Sequence, residues 1–181
     1  MSPRTRLVFI FAGEAIGFLI LLSMLWSFLI ATPYNRALVT MADGISGADI
    51  VLGEDFEEDV RRELGLKEDY ICVGVSQPWG LELYGYLEGS ALHYGMLLVI
   101  SLIAATPGLT WRRRFKFIPL ALLIMFTLHL ITILIFAKIS LSGANISQNP
   151  FIILLLTLGT ALFPALIWGA LCYKYWWPRR G

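Results

Sequence analysis

Four long apolar stretches constrain this chain more than any other feature of its sequence. They run over about residues 7–31, 90–105, 117–137 and 150–172. A helix needs about 20 apolar residues, at 1.5 Å each, to cross the hydrocarbon core of a bilayer. A core built from 181 residues cannot hide so much apolar surface, because such a domain leaves roughly a third of its unfolded surface in water. The sequence therefore predicts an integral membrane protein with four spans.

Composition agrees with this and excludes other classes of protein. Hydrophobic residues make up 57% of the chain and charged residues only 15%, whereas a soluble domain is about a quarter charged. A soluble enzyme, a nucleic-acid-binding domain and a disordered chain are therefore excluded as descriptions of the whole. The two cysteines, Cys72 and Cys172, are a hundred positions apart, which excludes a disulfide framework and a zinc quartet.

The charges predict the orientation of the spans. Basic residues cluster in segments that carry no acid: Arg4, Arg6, Arg112, Arg113, Arg114, Lys116, Lys174, Arg179 and Arg180. Every acidic residue except Glu14 lies between the first two stretches. Short basic segments stay on the cytoplasmic side of a membrane. We therefore expect both termini in the cytoplasm and the acidic segment outside a bacterial or archaeal plasma (inner) membrane.

The acidic segment, residues 32–89, is the only part that is polar enough to fold in water. Its patterns predict a short helix over about 35–50, a second over 55–64 that Gly65 ends, and a β-hairpin over 70–86. A two-stranded hairpin is only marginally stable alone, so we expect it to pack on the membrane helices or on a partner.

The predicted fold is thus an all-α membrane protein. A four-transmembrane-helix bundle carries a small extracytoplasmic α+β insertion between its first two helices. Residues 1–31 form the cytoplasmic N-terminus and first span, residues 32–89 the extracytoplasmic segment, and residues 90–181 the other three spans with a basic cytoplasmic loop and the C-terminus.

Three ionisable residues lie inside the predicted spans: Glu14, His93 and His129. Such groups are costly in a membrane and are functional candidates by default. The alternative is that Glu14 meets water near the inner interface and that each histidine only bonds a neighbouring helix. Tyr34, like other aromatic residues near the span ends, is expected to anchor the interface.

Part of the chain carries the motifs of a known family. Gly95 opens the second stretch, Ala105-Thr106-Pro107 ends it, and Trp111-Arg112-Arg113-Arg114 follows. Through these elements residues 89–137 resemble the exosortase/archaeosortase family. That resemblance implies a multi-span membrane protein related to cysteine transpeptidases that cut sorting signals outside the membrane.

The family's catalytic positions are altered. His93 stands in place of the nucleophilic cysteine, His129 in place of an asparagine and Thr132 in place of an arginine. The loop before the last stretch has amides but no histidine: Asn145, Gln148 and Asn149. A thiolate nucleophile needs a cysteine beside a cation or base. Cys72 lies well before the nucleophile position, in the predicted hairpin, and Cys172 lies at the inner face, so neither is assigned that role from the sequence. The resemblance therefore implies a degenerate member that has lost its chemistry.

Three functions remain open. The first is an exosortase-like binding or accessory module that contacts the lipid bilayer and either other membrane subunits or an exported tail. The second is a small structural subunit of a larger membrane complex, with or without a haem or chlorophyll-type pigment on His129 or His93. The third is a surviving enzyme that uses His93 or Cys72. No metal site and no nucleic-acid partner are predicted.

Overall fold

The computed structural model describes residues 3–78, 80–142, 154 and 158–176. The predicted amides Asn145, Gln148 and Asn149 and the basic residues Arg179 and Arg180 lie outside these ranges. The regular elements are helices α1 (Pro3–Leu29), α2 (Ala31–Ser46), α3 (Glu58–Glu63), α4 (Gly89–Ala105), α5 (Trp111–Leu141) and α6 (Phe163–Trp176), with strands β1 (Asp49–Leu52), β2 (Tyr70–Gln77) and β3 (Gly80–Glu88). A 3₁₀ turn, Gly53–Asp55, follows β1, and a π-helical turn, Leu158–Leu162, precedes α6.

The first two helices are almost continuous. Ile30 stays in the right-handed helical region, and Pro33 falls in the first turn of α2, where a missing N–H costs nothing because that group has no helical partner. The helix expected over 35–50 therefore begins at Ala31. It ends at Ser46, where Gly47 turns left-handed with φ +70°. Asp49 and Ile50, which we expected to be helical, instead start a strand.

Helix α3 ends as its sequence predicts. Gly65 has φ +66°, which a residue without Cβ adopts at no steric cost. The Leu66 N–H donates to the Arg61 carbonyl at 2.9 Å and the Gly65 N–H donates to the Arg62 carbonyl at 3.2 Å. This pair of hydrogen bonds is the Schellman motif, so the stop at Gly65 is confirmed.

The predicted hairpin is confirmed and belongs to a larger sheet. Strands β2 and β3 pair antiparallel, with Tyr70 opposite Glu88 and Gln77 opposite Gly80. Strand β1 adds to the other edge of β2, so the order is β1-β2-β3. The sequence analysis missed this third strand. Residues 85–88, directly before α4, belong to β3.

Two hydrophobic clusters stabilise the protein. The first joins the sheet to α2 and to the C-terminal half of α5, through residues such as Ile71, Leu38 and Phe136. The hairpin thus packs on the helices, as expected. The second cluster lies among α1, α4, the N-terminal half of α5 and α6, with Val99 and Met125 at its centre. Tyr34 packs against both clusters.

Two of the described helices are long and apolar enough to cross a membrane: α1, over Thr5–Leu29, and α5, over Trp111–Leu141. Helix α4 is apolar but has only 17 residues. Most of residues 150–157, where the fourth predicted span begins, lies outside the described ranges. The helical fold with a small antiparallel sheet is confirmed, and the count of four spans stays a prediction.

A glycine substitution tests the packing of the 3₁₀ turn. A Cβ on Gly53 would lie 1.9 Å from the Lys67 carbonyl oxygen, whereas a Cβ on Gly44 would have nothing within 4 Å. We expect Gly53→Ala to lower the free energy of unfolding by about 1–3 kcal/mol through overpacking. Gly44→Ala, inside α2, is the matched control and should raise it by about 0.5–1 kcal/mol. Thermal and denaturant unfolding in a nonionic detergent measures both, and equal effects would contradict the described turn.

Candidate functional site

Four polar residues from three helices meet at one place between the helices. Tyr34 and Asn35 lie in the first turns of α2, His93 lies on α4 and His129 on α5. The Tyr34 hydroxyl lies 2.6 Å from His129 Nδ1, and Asn35 Oδ1 lies 2.9 Å from His93 Nε2. Two consecutive residues of α2 therefore hydrogen-bond to two different helices. We call these four residues the junction cluster.

Aromatic rings surround the junction cluster, with Tyr34 at their centre. Its ring lies edge-on to those of His93 at 5.8 Å, His129 at 6.1 Å and Phe126 at 5.7 Å between centroids. Trp26 of α1 contacts the rings of both Tyr34 and His93. The structure thus brings the two predicted histidines together on either side of one tyrosine.

Only one of the two ring nitrogens of His129 has a hydrogen-bond partner among the described residues. Its side chain is 1% exposed, and its Nε2 has no hydrogen-bond partner among the described residues. If Tyr34 donates to Nδ1, then Nε2 carries a buried N–H. If Nδ1 donates instead, Nε2 is a buried acceptor and the tyrosine proton needs another partner. Either tautomer leaves at least one polar group to be satisfied, which in a buried site costs about 1–3 kcal/mol.

The Asn35–His93 pair is also buried, with Asn35 only 3% exposed. A Cβ at Gly89, the first residue of α4, would lie 2.8 Å from Asn35 Nδ2 and 2.4 Å from the Asp69 carbonyl oxygen. Only glycine therefore lets α4 begin this close to α2. The Ser90 N–H donates to Asp69 at 3.1 Å, which fixes the start of α4 on the outer segment.

Two clefts flank this pair. One, of about 190 Å³, is lined by Asn35 and by the carboxylates Glu54, Glu68 and Asp69. The other, of about 430 Å³, lies between α1 and α4 and is lined by His93 and mostly apolar side chains. His129 lines neither of them. A ligand in either cleft would therefore meet Asn35 or His93 but not His129.

The other residues singled out from the sequence are placed as follows. The Thr132 hydroxyl donates to the Leu128 carbonyl of its own helix at 2.9 Å. Glu14 is exposed on α1. Within the described part of the chain, no group of three or more histidine, cysteine or acidic residues is placed to hold a metal ion.

Neither cysteine is placed for nucleophilic chemistry. Cys72 is fully buried on β2, and burial raises the pKa of its thiol to about 11. Its Sγ lies 4.0 Å from the Tyr70 carbonyl oxygen, which stabilises a thiol rather than a thiolate. Cys172 is buried on α6, next to the C-terminal end of α4.

Two elements of the family resemblance have a visible structural role. A Cβ at Gly95 would lie 2.6 Å from the Gly159 carbonyl oxygen and 2.9 Å from Met125 Cε, so glycine allows α4 to touch the turn before α6. Thr106, at the end of α4, accepts a hydrogen bond from Trp168 Nε1 at 2.9 Å through its hydroxyl. Its carbonyl accepts another from the Arg114 guanidinium at 3.2 Å.

The sequence analysis missed half of the junction cluster. Tyr34 was expected only at the interface, and Asn35 was not singled out. The available signal was their position: two adjacent polar side chains directly after an apolar helix and Pro33, where a helix restarts.

The comparisons with known proteins add nothing to this site. No protein-family model matches the chain, and no curated protein or solved structure matches it either.

Removing the Tyr34 hydroxyl tests the junction cluster. Tyr34→Phe leaves His129 Nδ1 without its partner in a buried site, so we expect the free energy of unfolding to fall by about 1–3 kcal/mol. Tyr94→Phe is the matched control, because Tyr94 is 63% exposed on α4, and it should change stability by less than about 0.5 kcal/mol. A loss no greater than that of the control would contradict the buried hydrogen bond. Unfolding in a nonionic detergent, followed by tryptophan fluorescence, measures both.

The burial and the raised pKa of the Cys72 thiol can be tested by chemical labelling. In a Cys172→Ala background, maleimide labelling at pH 8 should be slow while the protein is folded, because burial excludes the reagent and about one thiol in a thousand is ionised. Labelling should become fast in denaturant. Because the folded pKa lies above the unfolded one, stability should also fall as the pH rises above about 9. Rapid labelling of the folded protein would contradict the described burial.

Proposed function

We propose that this protein is a multi-pass plasma-membrane protein, similar in layout to the exosortases, that has lost their cysteine chemistry and acts as a binding or accessory module. One observation carries the proposal. The three residues at the family-equivalent positions all bond within the protein: His93 to Asn35, His129 to Tyr34 and Thr132 to the Leu128 carbonyl. Side chains held in this way are structural contacts, which favours a scaffold over an active site.

The state of the cysteines favours the same conclusion. Transpeptidation needs a thiolate that can reach a substrate carbonyl, next to a base that takes its proton. Cys72 is buried within the sheet and its thiol pKa is raised. The residue at the nucleophile position, His93, bonds an amide. Neither cysteine therefore supplies the chemistry that the family resemblance implies.

Two apolar helices and the charge pattern support insertion into a membrane with both termini in the cytoplasm. Nine of the 14 basic residues lie in acid-free segments at the ends of predicted spans. The four basic residues of the outer segment instead pair with acids: Arg36 with Glu54, Arg61 with Glu68, Arg62 with Glu58 and Lys67 with Glu88. Such surface pairs belong in water, where each is worth about 0–1 kcal/mol.

The clefts and the exposed face of α1 support a binding role. The cleft beside His93 opens between α1 and α4. In the most apolar window of α1, no residue is buried within the protein. In a membrane this helix presents its apolar surface to lipid or to the helices of a neighbouring subunit.

A haem or chlorophyll-type pigment is the second candidate, because His129 resembles an axial ligand in one respect. Its Nδ1 is oriented by a hydrogen bond while its Nε2 has no partner in the described part of the chain, as in metal-binding histidines. The space around it does not fit: a side chain that is 1% exposed leaves no face for a macrocycle. His93, the other predicted ligand, already bonds Asn35 through its Nε2, so the purified protein should show no Soret or red absorption band.

Co-purification tests the accessory role. A tagged protein extracted in a mild detergent should retain a second membrane protein at a fixed stoichiometry. A lone, monodisperse 20.3 kDa species would contradict the proposal.

Incubation with a protein that carries an exported sorting tail tests the loss of chemistry. We expect no cleavage by the wild-type protein, His93→Ala or Cys72→Ala. A wild-type product that disappears in either variant would show a surviving enzyme and overturn the proposal.

A further inference from the structure

Helix α5 begins with an unusual concentration of positive charge. Arg112, Arg113, Arg114 and Lys116 fall within its first six residues, and no acid lies in its first turn. The positive end of a helix macrodipole is stabilised by anions and destabilised by cations. The start of α5 is therefore electrostatically unfavourable unless an anion lies beside it.

The protein itself supplies no such anion in its described part. All ion pairs between described residues lie in the outer segment, where each basic residue has an acidic partner. The bases at the start of α5, and Lys174 of α6 beside them, have none. The charge of the whole chain is nearly balanced. The lack of acidic partners is therefore a feature of the start of α5.

Two of these bases are held in place by contacts within the protein. The Arg114 guanidinium lies over the Trp111 ring at 4.9 Å and donates to the Thr106 carbonyl. The Arg113 guanidinium lies 4.7 Å from the centre of the Tyr175 ring, and Lys174 Nζ lies 5.4 Å from the same ring. These contacts tie the start of α5 to the end of α6 and fix the positions of the charges.

Arg112 and Lys116 are exposed, with no ion pair or ring contact among the described residues. They are four positions apart, so they share one face of the helix. With Thr110, Arg113 and Phe115 they line a cleft of about 850 Å³. The Thr110 side chain does not cap the helix. The Thr110 carbonyl accepts the N–H groups of Arg113 and Arg114, which leaves the N–H of Arg112 available to an outside acceptor.

The residues around the start of α5 indicate which kind of molecule would supply the anion. Trp111 and Phe115 are 66% and 72% exposed, and the apolar part of α5 follows directly. Exposed aromatic rings at the end of an apolar helix are typical of the level of lipid head groups. A phosphate held there would belong to a lipid whose acyl chains lie along α5.

We propose that the start of α5 is a binding site for the phosphate of an anionic phospholipid, with Arg112 and Lys116 as its specific cationic contacts. The site rests on α5 crossing a membrane and is independent of the accessory function. Basic pockets between membrane helices bind anionic head groups in this way.

Thermal unfolding in a maltoside detergent tests the site. The protein is titrated with dioctanoyl-phosphatidylglycerol, with dioctanoyl-phosphatidylcholine or with inorganic phosphate. We expect a saturable rise in Tm with phosphatidylglycerol alone. Arg112→Gln/Lys116→Gln should raise the half-saturating concentration by about 10- to 30-fold, since each basic residue near anionic lipid contributes about 1 kcal/mol.

The matched control is Arg62→Gln/Lys67→Gln, which removes the same charge from exposed residues of the outer segment and should leave the titration unchanged. An equal effect of the two variants, or equal stabilisation by phosphatidylcholine, would overturn the site. Equal stabilisation by inorganic phosphate would replace the lipid with a soluble anion. Without lipid, Arg112→Gln/Lys116→Gln should raise Tm slightly, because two cations leave the positive end of the helix dipole. The control should lower Tm slightly, because it removes two surface ion pairs.

The lipid site requires α5 to cross a membrane, and membrane insertion can be measured separately. Protein expressed in membranes should remain with floated vesicles after extraction in alkaline carbonate. Release from the vesicles would overturn the lipid site and the proposed membrane insertion together, whereas loss of lipid selectivity with retained insertion would overturn the lipid site alone.

Discussion

The arrangement of this protein depends on two adjacent residues at the start of α2. Tyr34 bonds to His129 of α5, and Asn35 bonds to His93 of α4. Because α2 continues almost directly from α1, these two bonds fix the position of α1 relative to α4 and α5. The ring of Tyr34 also packs against both hydrophobic clusters. The junction cluster therefore joins the outer segment to the apolar helices, beside the contacts of the first hydrophobic cluster.

These two hydrogen bonds contribute to stability mainly because they are buried. A hydrogen bond in water exchanges one partner for another, but a buried polar group that loses its partner costs about 1–3 kcal/mol. Asn35 and His129 are both nearly inaccessible, so displacing α2 would leave several such groups unpaired at once. Gly89 makes the Asn35 contact possible, since a Cβ there would clash with Asn35 and with the Asp69 carbonyl oxygen. The same burial leaves little room for chemistry at His129, and His93 is held by Asn35, which favours a scaffold over a catalyst.

Local patterns predicted much of this fold. Apolar length indicated α1 and α5, the alternation in residues 70–86 indicated the hairpin, and Gly65 indicated the end of α3. Strand β1 was missed because four residues, Asp49–Leu52, carry no period of their own and become a strand only by pairing with β2. The histidines were found because a polar residue stands out in an apolar stretch. Asn35 was not, because its partner lies 58 residues away and nothing local signals that contact.

The central claim is that His93, at the position of the family's nucleophile, holds the outer segment on the helices. A double-mutant cycle of Asn35→Ala and His93→Ala, read as the free energy of unfolding, measures that contact directly. We predict a coupling energy of about 1–2 kcal/mol, as for other residues in direct contact. Additive effects, with a coupling below about 0.3–0.5 kcal/mol, would contradict the claim and free His93 for another role.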